Sequence, residues 1–306
     1  MLAPAFPDVN SRQLRSVLAV AEYRSFIAAA AFLKTSQPAL TRTIKQIEGT
    51  LGVSLFSRST RQVTITKAGE EFAALAERLL NDLKLGIDNM RSLADQQRGQ
   101  IIVSSIMSLA HSSLPAVIAE YARQFPGIEI QLREGVQGTV QDDVRGGLAD
   151  FGVGYVADMP DPFVTQRLGA ETFHVVLPAR HRLARAKEIE LKALRNAVLV
   201  SLPTDSRTRR LIDGAAATAG FSFRHAITVN LFATLYSLVR SGAGLTIVPH
   251  GAGPPVADRA LVSRPLVRPR ISREIGIVRI GGRELTPAAA SLVTLIEARL
   301  RPSRLA

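Results

Sequence analysis

Two sets of residues share the stretch Ser36–Gly52 on opposite sides of a helical repeat. Leu40, Ile44, Ile47 and Leu51 recur at i, i+4, i+7 and i+11, a stripe suited to burial, while Gln37, Thr41, Arg42 and Lys45 fall on the other face. An amide, a hydroxyl, a guanidinium and an ammonium on one face suit hydrogen bonding to base edges and phosphate oxygens. A helix of this kind fits the major groove of B-form DNA, its N-terminal residues nearest the bases. Arg58 and Arg61 follow in a polar turn between two short β-prone runs, where the tip of a hairpin can reach an adjacent minor groove. A solvated helix face and an ordinary hairpin would use the same residues, so the pattern alone leaves both readings open.

A second set of polar residues follows strands or opens helices, where unpaired N–H groups favour anions. It comprises Ser105, Met107 and Ser108; Gln137, Gly138 and Thr139; Thr204, Asp205 and Ser206; and Asn230, Phe232 and Thr234. Each Ser, Thr or Asn is singly explained as a helix N-cap. Four clusters at corresponding strand ends make a binding site for a small organic anion the collective expectation. Catalysis finds less support. There is no cysteine, hence no thiolate nucleophile, thiolate metal site or disulfide. The five histidines, His111, His174, His181, His225 and His250, lack paired metal-ligand spacing. Gly152-Val153-Gly154 lacks the third glycine of a dinucleotide fingerprint, and neither a P-loop nor a GxSxG motif occurs. Arg207, Arg209 and Arg210 read as a solvated helix face or a phosphate-like patch. The chain is therefore not expected to be an enzyme, and no cofactor or metal is expected.

The elements that would hold these residues follow from local pattern. Leu14, Val17, Leu18 and Ala21 mark a first helix, Ser25 caps a second through Leu33, and Ser36 with Pro38 opens the third, which ends at Gly52. After the hairpin, Thr66 caps a long helix from about Ala68 to Arg98. Its stripe Phe72, Ala76, Leu79, Leu83, Ile87, Met90 and Ala94 suits a coiled-coil-like dimer seam, or packing against its own domain. Gln96–Gln100 reads as a hinge. Beyond it, strands at 101–105, 128–133 and 150–155 alternate with helices near 109–124 and 137–147, an order that predicts a parallel sheet. A second unit from about Leu168 has strands at 172–177, 197–201, 226–229 and 245–248 and helices near 207–219 and 231–241. A last strand at 274–280 and helix at 287–300 are placed to complete the first unit if the chain crosses back.

Composition agrees. The chain has 306 residues, 46% of them hydrophobic, and a net charge of +12, enough length for two or three folded units and a charge suited to a polyanionic partner. Residues 1–66 carry eight Lys and Arg against three Asp and Glu. The start, MLAPAFPDVN, has neither the basic nor the apolar region of a secretory signal, and charged residues interrupt every long apolar run. A soluble, cytoplasmic protein with no membrane partner is expected.

The run LAVAEYRSFIAAAAFLKTSQPALTRTIKQIEGTLGVSLFSRSTRQVTITKAGEEF resembles the N-terminal signature of LysR-type transcriptional regulators. The matches are Ser25-Phe26, Ala29-Ala30, Leu33, Ser36 through Thr41, Ile44, Ile47-Glu48, Leu51-Gly52, Leu55-Phe56, Arg58, Thr66 and Ala68-Gly69, in order and without gaps. More weakly, Leu114-Pro115, Phe125 through Ile128, Gly147 through Gly154, His181 through Ala184 and Val239 through Pro249 resemble the family's regulatory region. Thr41 stands where serine is usual and Arg24 where glycine is usual; Ala28, Ala31 and Phe32 make the second helix more apolar than the pattern.

The resemblance implies a multidomain fold with α+β and α/β parts. It comprises a winged helix-turn-helix DNA-binding domain at 1–66, a linker dimerisation helix at 67–98 and a two-lobed α/β effector-binding region at 99–306. That region would resemble type 2 periplasmic binding proteins, with lobe 1 at about 99–166 and 267–301 and lobe 2 at about 167–266. It implies base contacts from Gln37, Pro38, Thr41 and Arg42, phosphate contacts from Ser36 and Lys45, and a wing carrying Arg58 and Arg61. The partners implied are double-stranded DNA, a small-molecule effector between the lobes, and further copies in a homodimer or homotetramer, with RNA polymerase as an additional candidate. A solute-binding protein, an enzyme built on the cleft and an architectural DNA binder are the rival classes. The first leaves the basic N-terminal segment unexplained, the second lacks a catalytic set, and the third has no use for the α/β sequence.

Overall fold

The computed structural model describes residues 9–58, 63–94, 99–254 and 258–300. The chain divides into two compact units, residues 1–90 with 146–148, and residues 91–145 with 149–306.

The first unit opens with three helices, α1 (Ser11–Tyr23), α2 (Phe26–Phe32) and α3 (Gln37–Leu51). Their ends are fixed by short polar side chains. Asn10 and Gln13 form a reciprocal capping box on α1, and the Ser25 and Ser36 hydroxyls accept from the Ala28 and Ala39 N–H groups. Gly52 closes α3 with a left-handed φ of 72°. Val17, Val20, Ala29, Leu40, Ile44 and Ile47 form the shared core. On α1, Val20 is buried, whereas Leu18 and Ala21 of the expected stripe are only half-buried. Strands β1 (Phe56–Arg58) and β2 (Val63–Ile65) form the antiparallel hairpin. Helix α4 (Lys67–Ala94) is capped by Thr66, whose hydroxyl accepts from the Gly69 N–H at 3.0 Å. The last residues expected in that helix, 95–98, and with them Gln96, Gln97 and Arg98 of the expected hinge, lie outside the described residues.

The second unit opens with β3 (Gly99–Ile106), which takes up Gly99 and Gln100 of the expected hinge and lies between the parallel strands β4 (Ile128–Gly135) and β5 (Phe151–Tyr155). The single helix expected near 109–124 is two: α5 (Met107–His111) and α6 (Leu114–Gln124). Ser112 leaves helical geometry (φ −114°, ψ −82°), and Pro115 starts a new first turn. Helix α7 (Gln137–Arg145) packs on β5 across glycine. A Cβ at Gly154 would sit 2.7 Å from Gln137 Oε1, which accounts for the Gly152-Val153-Gly154 motif as helix–sheet packing.

Strand β6 runs from Phe163 to Pro178, far longer than its apolar stretch. Its first half pairs with β12 and its second half with β10 and β11. The polar residues of 163–172 hide this strand in the sequence; pairing with β12 stabilises it. Then follow β7 (Ile189–Glu190), β8 (Val198–Ser201), α8 (Arg207–Thr218), β9 (Arg224–Thr228), α9 (Phe232–Arg240) and β10 (Thr246–Pro249). The chain closes with β11 (Leu261–Val267), β12 (Ser272–Ile280) and α10 (Pro287–Leu300). The strand order is β4-β3-β5-β12-β6-β11-β7, with β10 on β6 and the parallel pair β8-β9 joined to β10 at Leu199 and Leu245. The expected parallel arrangement holds for β4, β3 and β5. The returning β12 inserts antiparallel between β5 and β6, making the sheet mixed. Strands β7 and β11 have no counterpart in the sequence expectations.

Two of the apolar cores that result are the larger ones. One joins Val103, Phe151 and Val153 to Ile277, Leu292 and Ile296 from the end of the chain; the other gathers Phe173, Val175, Leu199, Ile212 and Ile247. They are called lobe 1 and lobe 2 below, with β6 running through both.

Candidate functional site

On α3 the buried stripe turns the polar face outward. Ser36, Gln37, Pro38, Arg42 and Lys45 are exposed and Thr41 is half-buried. The side chains of Gln37, Thr41, Arg42 and Lys45 have no intramolecular polar partner among the described residues, so their donors and acceptors remain for solvent or a ligand. Glu48, on the inner side, accepts from the Leu55 and Phe56 N–H groups at 2.8 and 3.2 Å, fastening the hairpin to the helix. Arg58 ends β1, while Arg61 lies outside the described residues. Arg24 adopts a left-handed φ of 47°, the conformation that a glycine would take without strain.

A second site lies between the lobes of the second unit. The cleft is lined by Met107 and Ser108 of α5, Gln137 of α7, Tyr155 at the end of β5, Ser206 and Arg207 before and in α8, and Phe232 of α9, with Arg273 at its floor. Five expected residues thus meet there: Met107, Ser108, Gln137, Ser206 and Phe232. The others do not line it. Ser105 is buried on β3 and bonds the Ile106 carbonyl; Thr204, Asp205, Asn230 and Thr234 are exposed; Gly138 and Thr139 lie beyond the lining turn of α7. Position after a strand brings a residue near the cleft, but side-chain direction decides entry.

The centre of the cleft is a residue that strand position does not advertise. Arg273 is 4% exposed, and its guanidinium engages partners from both lobes. Nε and Nη2 donate to Glu171 Oε2 at 2.9 and 2.6 Å, and Nη2 also donates to Ser108 Oγ at 2.7 Å. Nη1 donates to the Tyr155 hydroxyl at 2.8 Å and to Thr208 Oγ1 at 3.3 Å. A guanidinium has five N–H donors, and these contacts occupy all of them. Glu171 Oε1 in turn accepts from the Gly251 N–H at 2.9 Å. The one signal in the sequence is periodicity: Ile271, Arg273 and Ile275 alternate on an inward face, an unusual place for an arginine.

Arg273 therefore carries no free donor for a ligand, but it orients the groups around it. Ser108 Oγ accepts from Arg273, leaving its own proton free to be donated. The Tyr155 and Thr208 hydroxyls lie 2.9 Å apart; one donates to the other, and one proton is left over. Arg207 differs. Its guanidinium stacks 5.0 Å from the Tyr155 ring and meets the Ala157 carbonyl and Asp158 only at 3.5 and 3.8 Å. It is the cleft's loosely held cation. Gln137 bridges the Tyr155 N–H and carbonyl at 2.9 and 3.0 Å, which fixes the ring's backbone rather than offering a contact.

Comparison with known proteins decides the class. Residues 11–70 match the bacterial regulatory helix-turn-helix protein, lysR family, and residues 94–301 match the LysR substrate binding domain. The chain belongs to the LysR family of DNA-binding transcriptional regulators. It is 31% identical over 290 residues to an uncharacterized HTH-type transcriptional regulator, YfeR, from Shigella flexneri, covering 93% of this chain and 92% of that one. It is 29% identical over 281 residues to the transcriptional dual regulator GltC of Bacillus subtilis, covering 91% of this chain and 93% of that one. The fold matches that of full-length CbnR complexed with its target DNA, with a TM-score of 0.73 at 23% identity, covering 95% of this chain and 100% of that one. A full-length OxyR variant from Pseudomonas aeruginosa gives 0.71 at 22% identity, covering 97% of this chain and 96% of that one. The two matched models join a DNA-binding helix-turn-helix to a substrate-binding domain. Among the described residues no helix is long and apolar enough to cross a membrane, and no cluster of His, Asp or Glu is arranged for a metal ion.

Proposed function

We propose that this LysR-type regulator reads its operator with α3 and responds to a small organic anion held between the lobes. Gln37, Pro38, Thr41 and Arg42 contact bases, Ser36 and Lys45 contact phosphates, and Arg58 and Arg61 act from the wing. The observation that carries the effector reading is the division of labour at Arg273 and Arg207. The buried guanidinium is saturated by protein partners, while the loosely held one and two spare hydroxyl protons face the cleft. The acid group of the effector accepts from Ser108 and from the Tyr155–Thr208 pair, Arg207 supplies the opposing charge, and Met107, Leu202 and Phe232 receive the apolar part.

A ligand-driven switch requires the effector to bind one lobe arrangement better than the other. The domains proposed are 1–66, 67–98 and 99–306. In α4, Leu75, Leu79, Leu83 and Ile87 are 37–52% exposed. This apolar row on a long helix supports a dimer seam, with a tetramer spanning two operator sites. RNA polymerase and a cytoplasmic setting complete the proposal.

Calorimetry with small carboxylic acids and their uncharged amides tests the effector reading. Saturable heat from acids, weakened about tenfold by Arg207→Gln (about 1.4 kcal/mol), is the expected result. Binding restricted to cations or apolar compounds would overturn it. Footprinting on genomic DNA tests the operator reading: discrete footprints with dyad symmetry support it, and unpatterned binding that dissolves with salt contradicts it.

A further inference from the structure

Lobe 2 carries a second concavity, a groove of about 580 Å³ on a different part of the lobe from the effector cleft. It is bounded by the end of β6, the turns leading into β8 and the α9–β10 turn, and it gathers Arg180, Arg182, Lys192 and Arg195 with His181 and Asn196. Among the described residues, no carboxylate lines it. The four cationic side chains are exposed, and none has an ion pair or hydrogen bond among the described residues.

The imbalance is local. Residues 167–266 hold fourteen Lys and Arg against six Asp and Glu, a formal charge of +8 out of the chain's +12. Five of these six acids pair with arginines outside the groove: Asp213 with Arg209, Asp258 with Arg240, Glu171 with Arg273, and Glu188 and Glu190 with Arg268. His181 Nδ1 accepts from the Leu183 N–H at 3.2 Å, leaving Nε2–H as the donor of a neutral ring. Burial, and then the charge of Arg182, holds that ring below its ordinary pKa. Like charges collected in a concavity repel one another and focus a positive potential into it.

We propose that this groove is a second ligand site, for a compact polyphosphate such as the di- or triphosphate of a nucleotide. Charge fixes the class: four cations call for three or four negative charges within one small molecule, which a monocarboxylate effector lacks. The guanidinium forks of Arg180, Arg182 and Arg195 match phosphate oxygens bidentately, and Lys192 adds a point charge. The volume falls within the range that small-molecule sites occupy. The regulator would then read a phosphorylated metabolite independently of the anion in its cleft.

The test is calorimetry of the full chain with ATP, inorganic tripolyphosphate and citrate, using Arg182→Gln/Arg195→Gln and, as a control in the cleft, Arg207→Gln. Saturable binding of ATP and tripolyphosphate, at least tenfold weaker in the double variant and unchanged in Arg207→Gln, is the expected result. Absence of saturable binding, or binding unchanged by the double substitution, would overturn the site. Citrate binding as tightly as tripolyphosphate would overturn the phosphate assignment. Loss of operator affinity in the double variant without nucleotide would make the groove a DNA contact instead.

Discussion

Arg273 Nη2 lies 2.6 Å from Glu171 Oε2, with the guanidinium 1% and the carboxylate 11% exposed. Glu171 sits on β6 where that strand passes between the lobes, and Arg273 sits beside it on the returning β12. The pair therefore ties together, at the base of the cleft, groups from both lobes. Its worth lies in completeness: every guanidinium donor has an acceptor, so the burial cost of the charge is offset.

Breaking that pair from one side should be costly. Glu171→Gln leaves a buried guanidinium short of its counter-charge, and a loss of about 3–5 kcal/mol in urea unfolding is expected. Glu171→Gln/Arg273→Met, which removes both charges, should recover much of it. A loss below about 1 kcal/mol for the single variant, the range of surface pairs, would show that the pair is solvated.

In the DNA-binding unit the proposed roles separate by salt dependence. Lys45→Ala should weaken binding to all sequences alike and lower the salt slope by about 0.9, as for one phosphate contact. Gln37→Ala should instead relax sequence preference, with a discrimination loss of about 1–3 kcal/mol at one base pair. Operator and random duplexes titrated at several salt concentrations distinguish the two, and unchanged preference in Gln37→Ala would remove that residue from base recognition.

Two backbone positions make opposite stability predictions. Arg24→Gly relieves a left-handed residue (φ 47°) and should stabilise the winged domain by about 1 kcal/mol. Gly69→Ala should destabilise it severely, because its Cβ would fall 2.1 Å from the Leu55 carbonyl oxygen, backbone that cannot swing aside. Thermal unfolding of the two variants is the check.

Acid should weaken the second unit through His174. Burial, and then the charge of His250 beside it, lowers the His174 pKa from 6.5 to about 4, while its Nδ1 lies 2.9 Å from Ser263 Oγ. Between those values the unfolded chain takes up a proton that the folded chain refuses. The contribution is thus fully present above pH 6.5 and declines as pH falls toward 4. His174→Gln should flatten the melting-temperature profile in that window. A profile parallel to the wild type would assign the acid sensitivity to other groups, such as Asp258, whose carboxyl Arg240 holds below its ordinary pKa.

Local chemistry made much of the DNA-binding unit legible. Ser25, Ser36 and Thr66 at caps, Gly52 at a helix end and the stripe Leu40, Ile44 and Ile47 act within a few residues, so sequence spacing alone located α3 and its exposed polar face. The first βαβαβ run was legible for the same reason. Tertiary structure decided the rest. The polar first half of β6 becomes a strand only because β12, more than a hundred residues later, supplies its hydrogen bonds. The sites behave likewise: Ser108, Gln137 and Phe232 were placed by strand ends, but Thr204, Asp205, Asn230 and Thr234 point to solvent. Arg273 could not be found by local rules, because its partners, Ser108, Tyr155, Glu171 and Thr208, come from four separate elements. Caps and stripes are short-range and survive in a linear reading. A buried charge is chosen by whatever the fold brings around it.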